Sequence, residues 1–196
     1  LLDQVFVAGD MAAEINHPAL HEPWLPNGPA SLKAPTKARV WMAAMTLGIA
    51  QAALEDSIEY AKGHSMALGG NAKTSMPGNQ FAVADAAMDI EAGRAFLVQE
   101  ARAITAKAIA GQEFVPDDAA RMGMAGLVAR ENSQKAVDRL FAIRGATGLF
   151  ETGNFERYYR DVRMGTLHAT STPDLVREEV GKHIFGIPLN VQPRWA

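Results

Sequence analysis

TKARVWMAAMTLGIAQAALEDSIEYAKG, residues 36–63, decides the fold. Val40, Ala43, Leu47, Ala50, Leu54, Ile58 and Ala61 recur at spacings of three and four. That is the period of one helix face, not the period-two alternation of a strand. A helix of this length must bury its apolar stripe against other helices. Before it, Pro18, Pro23, Pro26, Pro29 and Pro35 remove amide donors and restrict their predecessors, so residues 1–35 read as an extended lead-in. After it, Gly69, Gly70 and Gly78 mark a long loop with Pro77 near its end. A second helix is expected from about Asn79 to Ala110, with Val83, Ala87, Ile90, Leu97, Ala101, Ile104 and Ala108 on one stripe. Val115-Pro116-Asp117 opens a third, reaching about Ile143, with the proline tolerated in the first turn. Arg144-Gly145-Ala146-Thr147-Gly148 breaks it, and a fourth helix spans Asn154 to His168. Thr172 as N-cap and Pro173 at N1 start a last helix to about Phe185.

The expected class is therefore all-α: an up-down four-helix bundle over residues 36–186, with an extended N-terminal segment and a tail over 187–196. The alanine-rich stripes suit close helix approach. The opening Leu2-Asp3-Gln4-Val5-Phe6-Val7 reads as the end of a strand, as though a β-domain preceded it. Nineteen basic and twenty-two acidic residues give a net charge of −3 without like-charge blocks, so no nucleic-acid or membrane-surface footprint is expected. The absence of cysteine excludes disulfides and thiolate chemistry and points to the cytoplasm. No run reaches the roughly eighteen apolar residues that a membrane span requires.

The stretch Phe155 to Gly186 carries the functional argument. Arg160-Asp161 lies near the start of the fourth helix and His168 follows two turns later, so Asp161, Met164, Gly165 and His168 are expected to share a face. Thr170-Ser171-Thr172-Pro173 ends that helix and restarts another, which places the imidazole at the lip of a loop beside free backbone amides. Histidine titrates near neutrality, and a helix C-terminus favours its charged form. A lone histidine at such a position also serves as a packing or capping residue, and that bland reading stands beside the catalytic one. Arg144 to Gly148 has two readings as well: a helix stop built on left-handed glycines, or backbone amides and a cation placed for a phosphate. His17 and His21 have metal-like spacing, but Pro18 and Pro23 disfavour the helix they would need, and no metal site is expected.

The Ile143–Gly148 turn, followed by Phe155-Glu156-Arg157-Tyr158-Tyr159-Arg160-Asp161, resembles the C-terminal helical domain of the acyl-CoA dehydrogenase superfamily. The resemblance covers nearly the whole chain but about half of the usual protein; the N-terminal helical domain and the β-barrel would lie outside it. In that superfamily the dehydrogenases remove a substrate α-proton with a glutamate in a Tyr-Glu-Gly-Thr run. Laid on this chain, the run falls on His168-Ala169-Thr170-Ser171, so the base position is Ala169. A minority place the base early in the first bundle helix, and the match there is Ala38. Neither methyl group can take a proton.

The spacing from Arg160-Asp161 to His168 instead resembles the flavin-dependent monooxygenase branch, the two-component hydroxylases. That resemblance implies reduced flavin, FMN or FAD, supplied by a separate reductase, a flavin C4a-hydroperoxide, and hydroxylation of a small organic, aromatic substrate. It implies His168 as the catalytic residue, and Arg144, Gly145, Thr147, Gly148, Thr170 and Ser171 as cofactor contacts. The family's loop between the first two bundle helices carries an arginine for the FAD pyrophosphate. Tyr60-Ala61-Lys62-Gly63-His64-Ser65-Met66 lacks it, which implies a more exchangeable flavin. The family also implies a homo-oligomer, dimer or tetramer, whose neighbouring subunit shares the flavin site. Two other readings remain: an acyl-CoA dehydrogenase-like flavoprotein with a displaced base, and a non-catalytic helical assembly module.

Overall fold

The computed structural model describes residues 34–112, 114–150, 153–167 and 172–188, with side chains from Val40 onward. The described residues form five helices: α1 Ala34–Gly63, α2 Pro77–Ile109, α3 Pro116–Arg144, α4 Phe155–Thr166 and α5 Pro173–Ile184. Two short 3-10 turns, Lys73–Ser75 and Gly145–Leu149, interrupt the connections. Among the described residues the only extended pairing is an isolated antiparallel bridge between Ser65 and Ala72. The all-α expectation holds. No described helix is long and apolar enough to cross a membrane.

Helix α3 is the centre, in contact with α1, α2, α4 and α5. Facing pairs fix the directions. Glu100–Arg121 and Lys107–Asp118 run α2 against α3, while Arg163–Asp138 and the Thr166–Gln134 hydrogen bond run α4 against it. Arg177–Glu131 and His183–Asp117 then continue that line, so α4 and α5 lie in succession along the same helix. The predicted stripes form the core: Ala43, Leu47, Ala50 and Leu54 from α1, and Ile90, Leu97 and Ile104 from α2, are buried. Met42 and Met122 fill that core as expected of methionines, whereas Met88 is exposed. Alanine and glycine set the helix spacing. A Cβ on Gly93 would fall 2.9 Å from the Ala129 backbone, so α2 and α3 touch main chain to main chain there.

Local chemistry accounts for the helix ends. Pro116 sits in the first turn of α3, and the Val115 N–H donates to Asp118 Oδ2 at 2.9 Å, half of a capping box. Burial opposes the charge on Asp118. The hydrogen bonds from Lys107 and the Val115 amide, with the Lys107 and Arg121 charges, outweigh it and hold the carboxyl below its ordinary value of 3.8. Helix α2 begins at Pro77, two residues before the expected start, because proline at N1 loses nothing by lacking an N–H. Helix α5 begins with Pro173 at N1, and Thr172 caps it without a side-chain hydrogen bond. Helix α1 starts at Ala34, just inside the segment expected to be extended.

Candidate functional site

The Arg144–Gly148 segment is held at the end of the bundle. Gly145 adopts φ +63° with ψ −154°, a positive-φ conformation that glycine admits and that leads the chain out of the helix, and its N–H donates to Phe141 O. Gly148 is buried, and a Cβ there would lie 2.8 Å from the Arg144 Cβ, so the turn closes too tightly for any side chain. Three of the carbonyls that α3 leaves open at its C-terminus are taken: Phe141 O by that amide, Ile143 O by Lys73 Nζ at 2.8 Å, and Arg144 O by Thr147 Oγ1 at 2.8 Å.

Arg144 itself points inward. It pairs with Asp56, lies 4.4 Å from the Tyr60 ring centroid and 5.3 Å from that of Phe155, and its side chain is 11% exposed. Its Nε is buried with no hydrogen-bond partner among the described residues. The structure thus brings Arg144, Gly145, Thr147 and Gly148 together and adds Tyr60, Lys73 and Asp56, which the sequence reading did not select.

His168, Thr170 and Ser171, with the base position Ala169, fall outside the described residues, as do His17 and His21. Their flanks are fixed. Thr166 Oγ1 meets Gln134 Oε1 at 3.1 Å, and Arg177 of α5 pairs with Glu131. Helix α4 ends at Thr166, two residues short of the expected His168, because the Leu167 N–H already turns back to Met164 O at 3.2 Å. The expected common face divides: Gly165 is buried while Met164 is 58% exposed. Arg160 and Asp161 pair within α4, with Glu156 and Arg157 at 3.3 Å each, as a structural reading of them predicts.

Gly165 is the close-approach point of α4. A Cβ there would lie 2.4 Å from Thr46 Cγ2 of α1, so only glycine admits this crossing. Beyond it, Met45, Ile49 and Ala52 of α1, Asn154 just before α4, and Tyr158 and Asp161 of α4 line a groove of about 430 Å³. Beside the Gln134 contact, Arg130 is 1% exposed within α3, and its Nε donates to Gly126 O at 3.2 Å. From Gln134 to Arg144 is about 15 Å along α3, so the end of α4 at Thr166 and the Arg144–Gly148 turn stand at separate levels of the bundle. No group of three or more metal-ligating side chains occurs among the described residues.

The helix order, the tight turn after α3 and the broken α4–α5 line define the protein class. The chain belongs to the family described as acyl-CoA dehydrogenase, C-terminal domain, whose model matches residues 40–173. Among its relatives is the flavin-dependent monooxygenase oxygenase subunit HsaA of Mycobacterium tuberculosis, 29% identical over 182 residues, covering 92% of this chain and 43% of that protein. A 3-sulfinopropanoyl-CoA desulfinase of Advenella mimigardefordensis is 30% identical over 160 residues, covering 82% of this chain and 37% of that one. Among solved structures, XiaF from a Streptomyces species in complex with FADH2 and glycerol superposes with a TM-score of 0.78 at 22% identity, over 89% of this chain and 44% of XiaF. The chain spans less than half the length of each of these relatives.

Proposed function

We propose that this chain is the C-terminal domain of a reduced-flavin-dependent monooxygenase that hydroxylates a small, aromatic substrate. One observation carries the reading: both positions where the dehydrogenases hold their carboxylate base are alanine, Ala169 and Ala38, and His168 stands beside the first. A relative described as a flavin-dependent monooxygenase oxygenase subunit supports it. So does the cradle after α3, where the closed Gly145–Gly148 turn and the buried Arg144 Nε suit an anionic cofactor group. When bound, the reduced flavin would supply the oxygen chemistry.

The chain's own residues do the rest. His168 accepts the proton of the substrate hydroxyl and so raises the electron density of the ring to be attacked. Thr170 and Ser171 donate to the flavin beside it. The Arg144–Gly148 turn holds a phosphate-bearing part, either of the same cofactor or of one bound to a neighbouring subunit of a dimer or tetramer. The flavin, FMN or FAD, is held exchangeably and arrives from a separate reductase in the cytoplasm.

Hydroxylation coupled to oxygen consumption tests this reading in the whole gene product. His168→Ala is expected to divert oxygen to hydrogen peroxide and lower the coupling ratio. An unchanged rate and ratio would remove His168 from the catalytic role. The alternative, an acyl-CoA flavoprotein with a displaced base, draws support from the desulfinase relative. It predicts that an acyl-CoA bleaches the oxidised flavin.

A further inference from the structure

We infer that Lys73 and Tyr60 are positioning residues that set the Gly145–Leu149 turn in its cofactor-facing form, an inference that rests on the flavin reading of that turn. The observation is a cap made from far away. Gly145 at φ +63° and its amide bond to Phe141 O already end α3, so termination does not call for a side chain from another helix. Yet Lys73, seventy residues upstream, donates to Ile143 O at 2.8 Å. Lys73 is not a free arm. Its N–H donates to His64 O at 3.0 Å, its own carbonyl accepts Asn79 Nδ2 at 2.8 Å, and the Ser65–Ala72 bridge closes the loop beneath it. A lysine whose backbone is pinned at both of its polar atoms acts as a strut between the α1–α2 loop and the end of α3.

Tyr60 supplies the second strut. The Thr147 hydroxyl has one proton, and it goes to Arg144 O at 2.8 Å. The 3.3 Å contact between Tyr60 OH and Thr147 Oγ1 must then have the tyrosine as donor. The Tyr60 ring is itself fixed, stacked on His64 at 4.0 Å and covered by Arg144 at 4.4 Å. The turn is therefore held at Ile143 O by the loop and at Thr147 by α1. Lys73 has no acidic partner among the described residues, so its charge is left to act on an anion at the turn, whereas the charge of Arg144 is met by Asp56.

The test uses the whole gene product, with FAD and FMN as probes, and reads two quantities. The first is amide hydrogen exchange across residues 145–150 without flavin. Lys73→Met is expected to speed it about tenfold, the effect of losing one charged hydrogen bond, while the core of α2 around Leu97 keeps its protection. The second is flavin affinity, expected to fall about tenfold in Lys73→Met, to fall less in Tyr60→Phe, and to return in Lys73→Arg. Unaltered exchange in Lys73→Met overturns the positioning role. Faster exchange with unaltered flavin affinity overturns its link to the cofactor. If the unsubstituted protein binds neither flavin, the functional reading fails and this inference with it. That failure is told apart because it is seen before any substitution is made.

Discussion

Gly165→Ala tests the α1–α4 crossing that places the end of α4. The added Cβ would stand 2.4 Å from Thr46 Cγ2 and 3.5 Å from Met45 Cε. Ordinary contact begins at 3.4 Å, so the helices must part by about 1 Å or Thr46 must turn. Thr46 cannot turn freely, since it is fully buried and its Oγ1 donates to Ala43 O at 2.9 Å. Overpacking of this kind costs about 1–3 kcal/mol. Alanine gains back about 0.5–1 kcal/mol over glycine within a helix. The expected net loss is up to about 2.5 kcal/mol, centred near 1 kcal/mol, read as a lower urea midpoint at unchanged slope.

Two companions isolate the cause. Thr46→Ser removes the methyl group and keeps the hydroxyl, so in the double variant it should restore about 1 kcal/mol. Gly48→Ala, in α1 with nothing within 4 Å of its Cβ position, should instead stabilise by about 0.5–1 kcal/mol. If Gly165→Ala stabilised the protein as Gly48→Ala does, the close crossing would be refuted.

Gly93→Ala places a Cβ 2.9 Å from the Ala129 backbone, which cannot rotate away, and should cost about 1–3 kcal/mol in denaturant unfolding. Asp118→Asn tests the α2–α3 end. The folded carboxyl titrates below its ordinary value of 3.8, so its stabilisation is complete above that value and is lost as pH falls through the lower folded one. The gap in urea midpoint between wild type and Asp118→Asn should therefore be widest near neutrality and shrink in acid. A gap that grew in acid would reverse the sign of the shift.

The bundle was legible because its signals are local. The α1 stripe buries Ala43, Leu47, Ala50 and Leu54 as its spacing requires, and Pro116 and Pro173 each sit in the first turn of a helix as read. The cluster from Arg144 to Gly148 was also readable, since glycines in a break between helices announce a turn. Long-range chemistry was not. Nothing near Lys73 says that its ammonium reaches Ile143 O, and nothing near Arg144 says that Asp56 and two aromatic rings absorb it. The early end of α4 escaped as well. Periodicity continues through Leu167, but there the backbone N–H turns back to Met164 O, a change of hydrogen-bond pattern that the spacing of side chains does not announce. The paired alanines, Ala38 and Ala169, carried the argument from residues to reaction, because a missing carboxylate is visible in sequence where a positioned one is not.

The most direct measurement of the central claim mixes the whole gene product, carrying reduced flavin, with oxygen and follows the flavin absorbance, alongside a titration of the oxidised form with acyl-CoA thioesters. The account predicts a long-lived oxygenated flavin in the first experiment and no bleaching in the second. Immediate return to oxidised flavin, together with bleaching by a thioester, would contradict it.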